Sequence, residues 1–135
     1  MTTDRRPTPD APQAAEEFLV GLSEALTAPR PGECVLCFAA RMVSEFGCDT
    51  TMRWVRRWRD LRVPRATGLV RRLNARGVFC DCEVFMNGWS LRADLLVVDE
   101  DAAELVDPEE LPPCAGVGPR STQPCAVWVT RRRGW

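Results

Sequence analysis

The sequence predicts an α+β fold, with four helices followed by an antiparallel β-hairpin. Apolar residues recur at helical spacing as far as Gly77, and beyond it the spacing changes to every second residue. An Asn87-Gly88 pair, typical of a type I′ hairpin turn, lies within that second part. The chain has 135 residues, of which 45% are hydrophobic, and this is enough for one domain with a modest core.

Four helical segments are predicted in the first part of the chain. The first covers about 13–26 and is closed by prolines, and the second covers about 33–46 before Gly47, which suits a left-handed C-terminal cap. The third covers about 49–61, where an aspartate or a threonine at its start can cap the helix. The fourth covers about 64–76, because it begins with a proline and ends before a glycine.

The turn at Asn87-Gly88 fixes the register of the predicted hairpin. It places Met86 opposite Trp89, and Cys80 and Cys82 then lie on the face that is buried against the core. The acidic residues that alternate with these cysteines are predicted to face solvent. A β-like run at 125–130 would add a third short strand.

Four segments are expected along the chain. Residues 1–12 are predicted to be a disordered leader, and 13–98 to form the α+β domain. Residues 99–120 are an acidic, proline-containing linker in this interpretation, and 121–135 a C-terminal segment with a basic tail. The N-terminal residues lack the apolar run of a signal peptide and no run is long enough to span a bilayer, so a cytoplasmic protein is predicted.

The cysteines are the main chemical signal, because the chain contains seven of them and no histidine. Cys34 and Cys37 share a helix face, and Cys80 and Cys82 share a strand face. Four thiolates suit a tetrahedral zinc ion, so these residues are predicted to hold structural zinc, with Cys48 as the alternate ligand.

Two other interpretations of the cysteines stay open. A free cysteine also behaves as a small buried apolar residue, which would make Cys80 and Cys82 ordinary core residues. A redox pair is the third option, but no strand is predicted before Cys34, as a thioredoxin-type motif requires. No role is predicted for Cys114 and Cys125.

Two motifs carry a family resemblance. Gly-Cys-Asp-Thr-Thr-Met-Arg at 47–53 and Gly-Val-Phe-Cys-Asp-Cys-Glu-Val at 77–84 resemble the uncharacterised family called domain of unknown function 2695, over roughly 48–87. Members carry Cys-Asp-His-Thr and then Gly-Tyr-Cys-Asp-Cys-Glu-Val, whereas this chain has Thr50 in place of the histidine. If the family binds metal through that histidine, Cys34 and Cys37 are candidates for the missing ligands. The resemblance implies a domain type and no reaction.

Charge is strongly segregated along the chain. The segment 53–76 contains nine arginines and one acidic residue, whereas 93–119 contains eight acidic residues and no basic one. The order helix, turn, helix and hairpin is also that of a winged helix, in which Arg65, Arg71 and Arg72 would contact DNA. The acidic segment could instead cover this basic surface.

Two hypotheses of function follow. The first is a zinc-stabilised interaction module, and the alternative is a winged-helix DNA-binding protein. A protein partner or DNA would bind through the arginine-rich helices, and no membrane partner is expected. An enzyme is not predicted, because the chain has no histidine base, phosphate-binding glycine loop or serine nucleophile motif.

Overall fold

The computed structural model describes residues 11–131 and confirms the α+β class. Four helices come first: α1 (Ala11–Leu26), α2 (Val35–Phe46), α3 (Arg53–Arg62) and α4 (Leu69–Asn74). Short antiparallel strands follow them. Most of the leader predicted at 1–12, and the last four residues of the basic tail, lie outside the described residues.

Helices α2 and α3 form the centre of the core. Each has an apolar face, and the fully buried side chains of these faces include Phe38, Met42, Trp54 and Trp58. The indole N–H groups are paired, since Trp54 donates to the carbonyl of Gly47 and Trp58 to that of Glu33, each at 3.0 Å. The two tryptophans therefore fill the core without leaving a buried donor unsatisfied.

The N-terminus of α3 is capped by a residue from a distant part of the chain. Asp81 is completely buried, and its carboxylate accepts hydrogen bonds from the backbone N–H groups of Trp54, at 2.9 Å, and Val55, at 3.1 Å. The backbone N–H of Asp81 donates in turn to the carbonyl of Thr51, at 3.0 Å. The prediction that Asp81 faces solvent was wrong, because its negative charge is used at a helix N-terminus.

Helix α4 is shorter than predicted. The helix proposed to start at Pro64 begins only at Leu69, and the intervening residues form turns in which Ala66 N–H donates to the carbonyl of Val63. Gly68, at the N-terminal boundary, is a poor helix former, which favours turns over a continuous helix. The helix ends at Asn74, two residues before the predicted end, and Gly77 follows in a turn with a φ of 81°, in the left-handed region that suits glycine.

The hairpin predicted across Asn87-Gly88 is absent, and this prediction was wrong. Residues Val84–Gly88 form a π-helical turn, so Met86 does not pair with Trp89. The Asn87 side chain explains the difference, because its amide donates to the carbonyl of Gly77 at 2.9 Å and to the carboxylate of Glu83 at 3.1 Å. These bonds close a compact helical turn instead of a β-turn.

The strands form two small antiparallel sheets. Strand β1 (Trp89–Leu91) pairs with β4 (Trp128–Thr130), which lies within the predicted third strand. Strands β2 (Val97–Asp99) and β3 (Glu104–Val106) form the observed hairpin, at the boundary of the acidic segment. Between β3 and β4, residues 107–127 form neither helix nor strand.

Helix α1 lies outside this core. None of its residues is buried by the part of the chain that the structure describes, and Phe18 is 69% exposed. Its C-terminal end is fastened by Arg57, whose guanidinium donates to the carbonyls of Thr27, at 2.7 Å, and Glu24, at 3.3 Å. Among residues 11–131, no helix is both long and apolar enough to cross a membrane.

Candidate metal centre

Four cysteines converge at one end of α2. The Sγ atoms of Cys34, Cys37, Cys114 and Cys125 all lie within 4.8 Å of one another, and none is in a disulfide. We call this group the four-cysteine cluster. A tetrahedral zinc ion with Zn–S bonds of about 2.3 Å places its sulfur atoms about 3.8 Å apart. The Cys37 and Cys125 Sγ atoms are 3.6 Å apart, which matches this spacing.

The first two thiols of the cluster come from the start of α2. Cys34 is the N-cap residue, and its Sγ accepts a hydrogen bond from the backbone N–H of Cys37 at 3.3 Å. The helix therefore fixes both thiols on one turn. Cys34 is completely buried and Cys37 is half-buried.

The other two thiols come from the irregular segment between β3 and β4. The Cys114 Sγ accepts hydrogen bonds from the backbone N–H groups of Cys34 and Gly116, each at 3.3 Å. The indole N–H of Trp128 donates to the Cys37 Sγ, also at 3.3 Å. Donors aimed at sulfur stabilise thiolates, and such outer contacts are typical of metal-bound cysteine.

The acidity of these thiols is unequal. A hydrogen bond from the Cys37 side chain lowers the pKa of Cys34 to about 5, against the opposing effect of burial. The same interaction with Cys34, together with burial, raises the pKa of Cys37, and burial raises that of Cys125. The Cys34 thiol thus ionises readily, and its charge opposes the ionisation of Cys37 and Cys125. A bound cation would remove this conflict, because it neutralises the charge that the thiolates share.

An open cleft reaches the four-cysteine cluster from one side. Its volume is about 890 Å³, and its lining includes Cys37, Cys114 and the Glu33–Arg41 pair, whose closest N–O distance is 2.7 Å. The cleft gives solvent a path toward two of the four thiols. A metal ion therefore has an entry route.

The remaining three cysteines form a separate group, which we call the three-cysteine cluster. Burial raises the pKa of Cys48, in the loop between α2 and α3, but hydrogen bonding with Cys82, Thr50 and Cys80 lowers it below its usual range, which places the Cys48 thiol beside Cys80 and Cys82. All three are half-buried. The cysteines predicted to form one zinc site are therefore divided, because Cys34 and Cys37 lie in one cluster and Cys80 and Cys82 in the other.

Sequence reasoning missed Cys114 and Cys125. Both lie between 107 and 127, where no periodic pattern indicates what a side chain faces. One signal was available. A cysteine is usually buried with apolar neighbours, so a cysteine in a proline- and glycine-rich segment without such neighbours is a candidate for metal binding.

The arginines of the DNA-binding alternative lie on the surface. Arg65, Arg71 and Arg72 are exposed, and Arg72 donates a hydrogen bond to the Thr122 hydroxyl at 3.3 Å. The hairpin that would have served as the wing after α4 is replaced by the π-helical turn. The described residues thus lack the β-hairpin of a winged helix at this position.

A protein-family model matches residues 35–87, less than half of the chain. The family is described as "Protein of unknown function (DUF2695)", and the match confirms the resemblance to that family. The three-cysteine cluster falls entirely within the matched region, whereas Cys34, Cys114 and Cys125 fall outside it. No significant match was found among curated proteins or among solved structures.

Proposed function

We propose that this protein is a metal-stabilised interaction module, in which the four-cysteine cluster holds a structural zinc ion. The observation that carries the proposal is the convergence of four Sγ atoms within 4.8 Å, with backbone and indole donors directed at three of them. Zinc favours four thiolates in a closed tetrahedral site, and such sites are structural more often than catalytic.

The metal would connect the start of α2 to a segment that forms neither helix nor strand. Cys34 caps α2 and Cys37 lies in its first turn, whereas Cys114 and Cys125 belong to a segment without helix or strand. That segment has no regular ladder of backbone hydrogen bonds, so its order depends on individual contacts. Zinc binding of this kind contributes on the order of 10 kcal/mol in small metal-dependent domains.

The exposed apolar side chains of α1 support an interaction role. This helix is amphipathic, and its apolar side chains are largely exposed: 69% for Phe18, 59% for Leu19 and 44% for Leu22. We assign no reaction to the protein. Free thiols persist in reducing compartments, and this supports a cytoplasmic location.

Elemental analysis of protein purified under reducing conditions without chelators tests the proposal. We expect zinc in the wild-type protein, and about one zinc fewer per chain in Cys125→Ser. Ala126→Ser, which introduces serine at an exposed neighbouring position, should keep the wild-type zinc content. Cobalt substitution of the wild-type protein provides a second readout that needs no variant, because tetrahedral thiolate-bound cobalt absorbs strongly. Wild-type zinc content in Cys125→Ser, or wild-type protein without metal, would overturn the proposal.

A further inference from the structure

The three-cysteine cluster is built from two segments that are held rigidly together. The loop carrying Cys48 leads into α3, and Asp81 lies between Cys80 and Cys82. The buried carboxylate of Asp81 binds the first backbone amides of α3, and its own N–H donates to the carbonyl of Thr51 at 3.0 Å. These three bonds fix the Cys-x-Cys pair against the Cys48 loop. The fold thus holds the Cys-x-Cys segment beside the Cys48 loop before any ligand binds.

The carboxylates near these thiols are already engaged. Asp49 accepts from the backbone N–H and the hydroxyl of Thr51, and Asp81 caps α3. Glu83 accepts from the backbone N–H of Phe79 at 3.3 Å and from the Asn87 amide at 3.1 Å. None of these acidic side chains is free to serve as a fourth ligand without breaking existing hydrogen bonds.

The cluster is also more open than the four-cysteine cluster. Cys48, Cys80 and Cys82 are all half-buried, whereas two members of the four-cysteine cluster, Cys34 and Cys125, are buried. Among residues 11–131, only the four-cysteine cluster has sulfur atoms that all lie within 4.8 Å of one another. The sulfur atoms of the three-cysteine cluster are therefore farther apart. Metal binding would therefore require the three thiols to move closer together.

Local backbone strain marks the same loop. Thr50 has a φ of 70°, in the left-handed region that β-branched residues rarely adopt. The Asp49 carboxylate, by accepting from Thr51, holds the loop in this conformation. The strained residue is separated from Cys48 by one position, and strain of this kind is concentrated at binding and catalytic sites.

We propose that Cys48, Cys80 and Cys82 form a second metal site, which takes a thiophilic divalent ion such as Zn²⁺ through three thiolates and leaves the fourth position to a ligand from solvent. Binding releases the thiol protons to solvent and changes no oxidation state. With three protein ligands and partial exposure, this ion exchanges more readily than one held by four thiolates. The inference does not depend on the four-cysteine site, since the two clusters share no residue.

A chelator titration of zinc-loaded, reduced protein tests the second site. A chromophoric chelator should remove about one zinc per chain rapidly from the wild-type protein, and a second zinc at least ten-fold more slowly. Cys82→Ser and Cys48→Ser should each lose the rapid class and keep the slow one. Phe79→Ser, an exposed neighbour of Cys80, is the matched control and should keep both.

The outcomes separate this inference from the proposed function. If Cys125→Ser loses only the slow class while Cys82→Ser loses only the rapid class, both sites exist. A single class of zinc that Cys82→Ser leaves unchanged would overturn the second site and leave the first. A Cys48–Cys82 disulfide in protein prepared with reductant, without a rapid zinc class, would also overturn it. If Cys82→Ser fails to fold, the number of rapid zinc ions in the wild-type protein decides the question.

Discussion

Asp81 is the residue on which the arrangement of α3 depends most directly. Its side chain has no exposed surface, and its two carboxylate oxygens are shared between the N–H groups of Trp54 and Val55. Burial raises the pKa of Asp81, although these amides favour its ionised form. The carboxylate is tolerated in the core because it accepts hydrogen bonds from N–H groups at the start of α3. Without it, these buried N–H groups would have no partners.

Replacing Asp81 with alanine should lower the free energy of unfolding by about 2 kcal/mol. The substitution leaves two buried N–H groups at the start of α3 without acceptors, and loss of a helix cap has a cost of this order. Chemical denaturation of metal-loaded protein measures the change. Asp94→Ala is the control, because Asp94 forms an exposed pair with Arg92 and its loss should change stability by less than about 0.5 kcal/mol. Equal effects of the two variants would contradict the capping role.

At the scale of elements, α1 is the least integrated helix. It buries none of its residues against the described chain, and its C-terminal end is held by hydrogen bonds from Arg57. Helix α2, in contrast, buries six side chains. Since most helical stability in proteins comes from packing of an apolar face, the two helices should differ in their local stability.

Hydrogen exchange followed by mass spectrometry should show this difference. We expect backbone amides in α1 to exchange at least 100-fold faster than those in α2, because local opening of α1 exposes little new apolar surface. The protein should be measured at several concentrations. Protection of α1 equal to that of α2 at every concentration would contradict the expectation, and protection that rises with concentration would show that another copy covers the exposed face.

The elements differ in how far the sequence could predict them. Apolar periodicity sufficed for α2 and α3, because one face of each is buried in the core. The prediction failed after Gly77, where it relied on Asn87-Gly88 as a hairpin turn. The Asn87 side chain instead forms hydrogen bonds with Gly77 and Glu83, and these favour a helical turn. Cys34 and Cys37 could be predicted as a pair because helical spacing is local. Cys114 and Cys125 could not be predicted as members of the same cluster, because they lie in a segment without helix or strand, whose path the sequence pattern does not indicate.

At the scale of the whole molecule, the four-cysteine cluster links distant parts of the chain. Cys37 and Cys125 are separated by 88 positions, and the segment 107–127 between the last strands is ordered without a sheet or helix of its own. Its contacts to the start of α2 run through Cys114 and through Val117, whose N–H donates to the carbonyl of Gly32 at 2.9 Å. The order of this segment should therefore depend on the metal.

Removal of zinc should make this segment accessible to protease. Arg120 is exposed within it, so trypsin should cleave after Arg120 at least ten-fold faster when a strong chelator is present. Mass spectrometry of timed digests identifies the site. Cleavage after Arg71 in α4 serves as the internal comparison, because α4 contains no cysteine of either cluster. Equal rates at Arg120 with and without chelator would contradict a metal-dependent segment.

The long separation between the two halves of the four-cysteine cluster also has a consequence for biosynthesis. A ribosome adding about 5–20 residues per second needs roughly 4–18 s to progress from Cys37 to Cys125, which lie 88 positions apart. During that interval Cys34 and Cys37 emerge as an incomplete chelate. The three-cysteine cluster, whose last member is Cys82, is complete earlier in translation. Zinc delivery to the nascent chain would therefore follow a fixed temporal order, with the weaker site available first and the stronger site closing last.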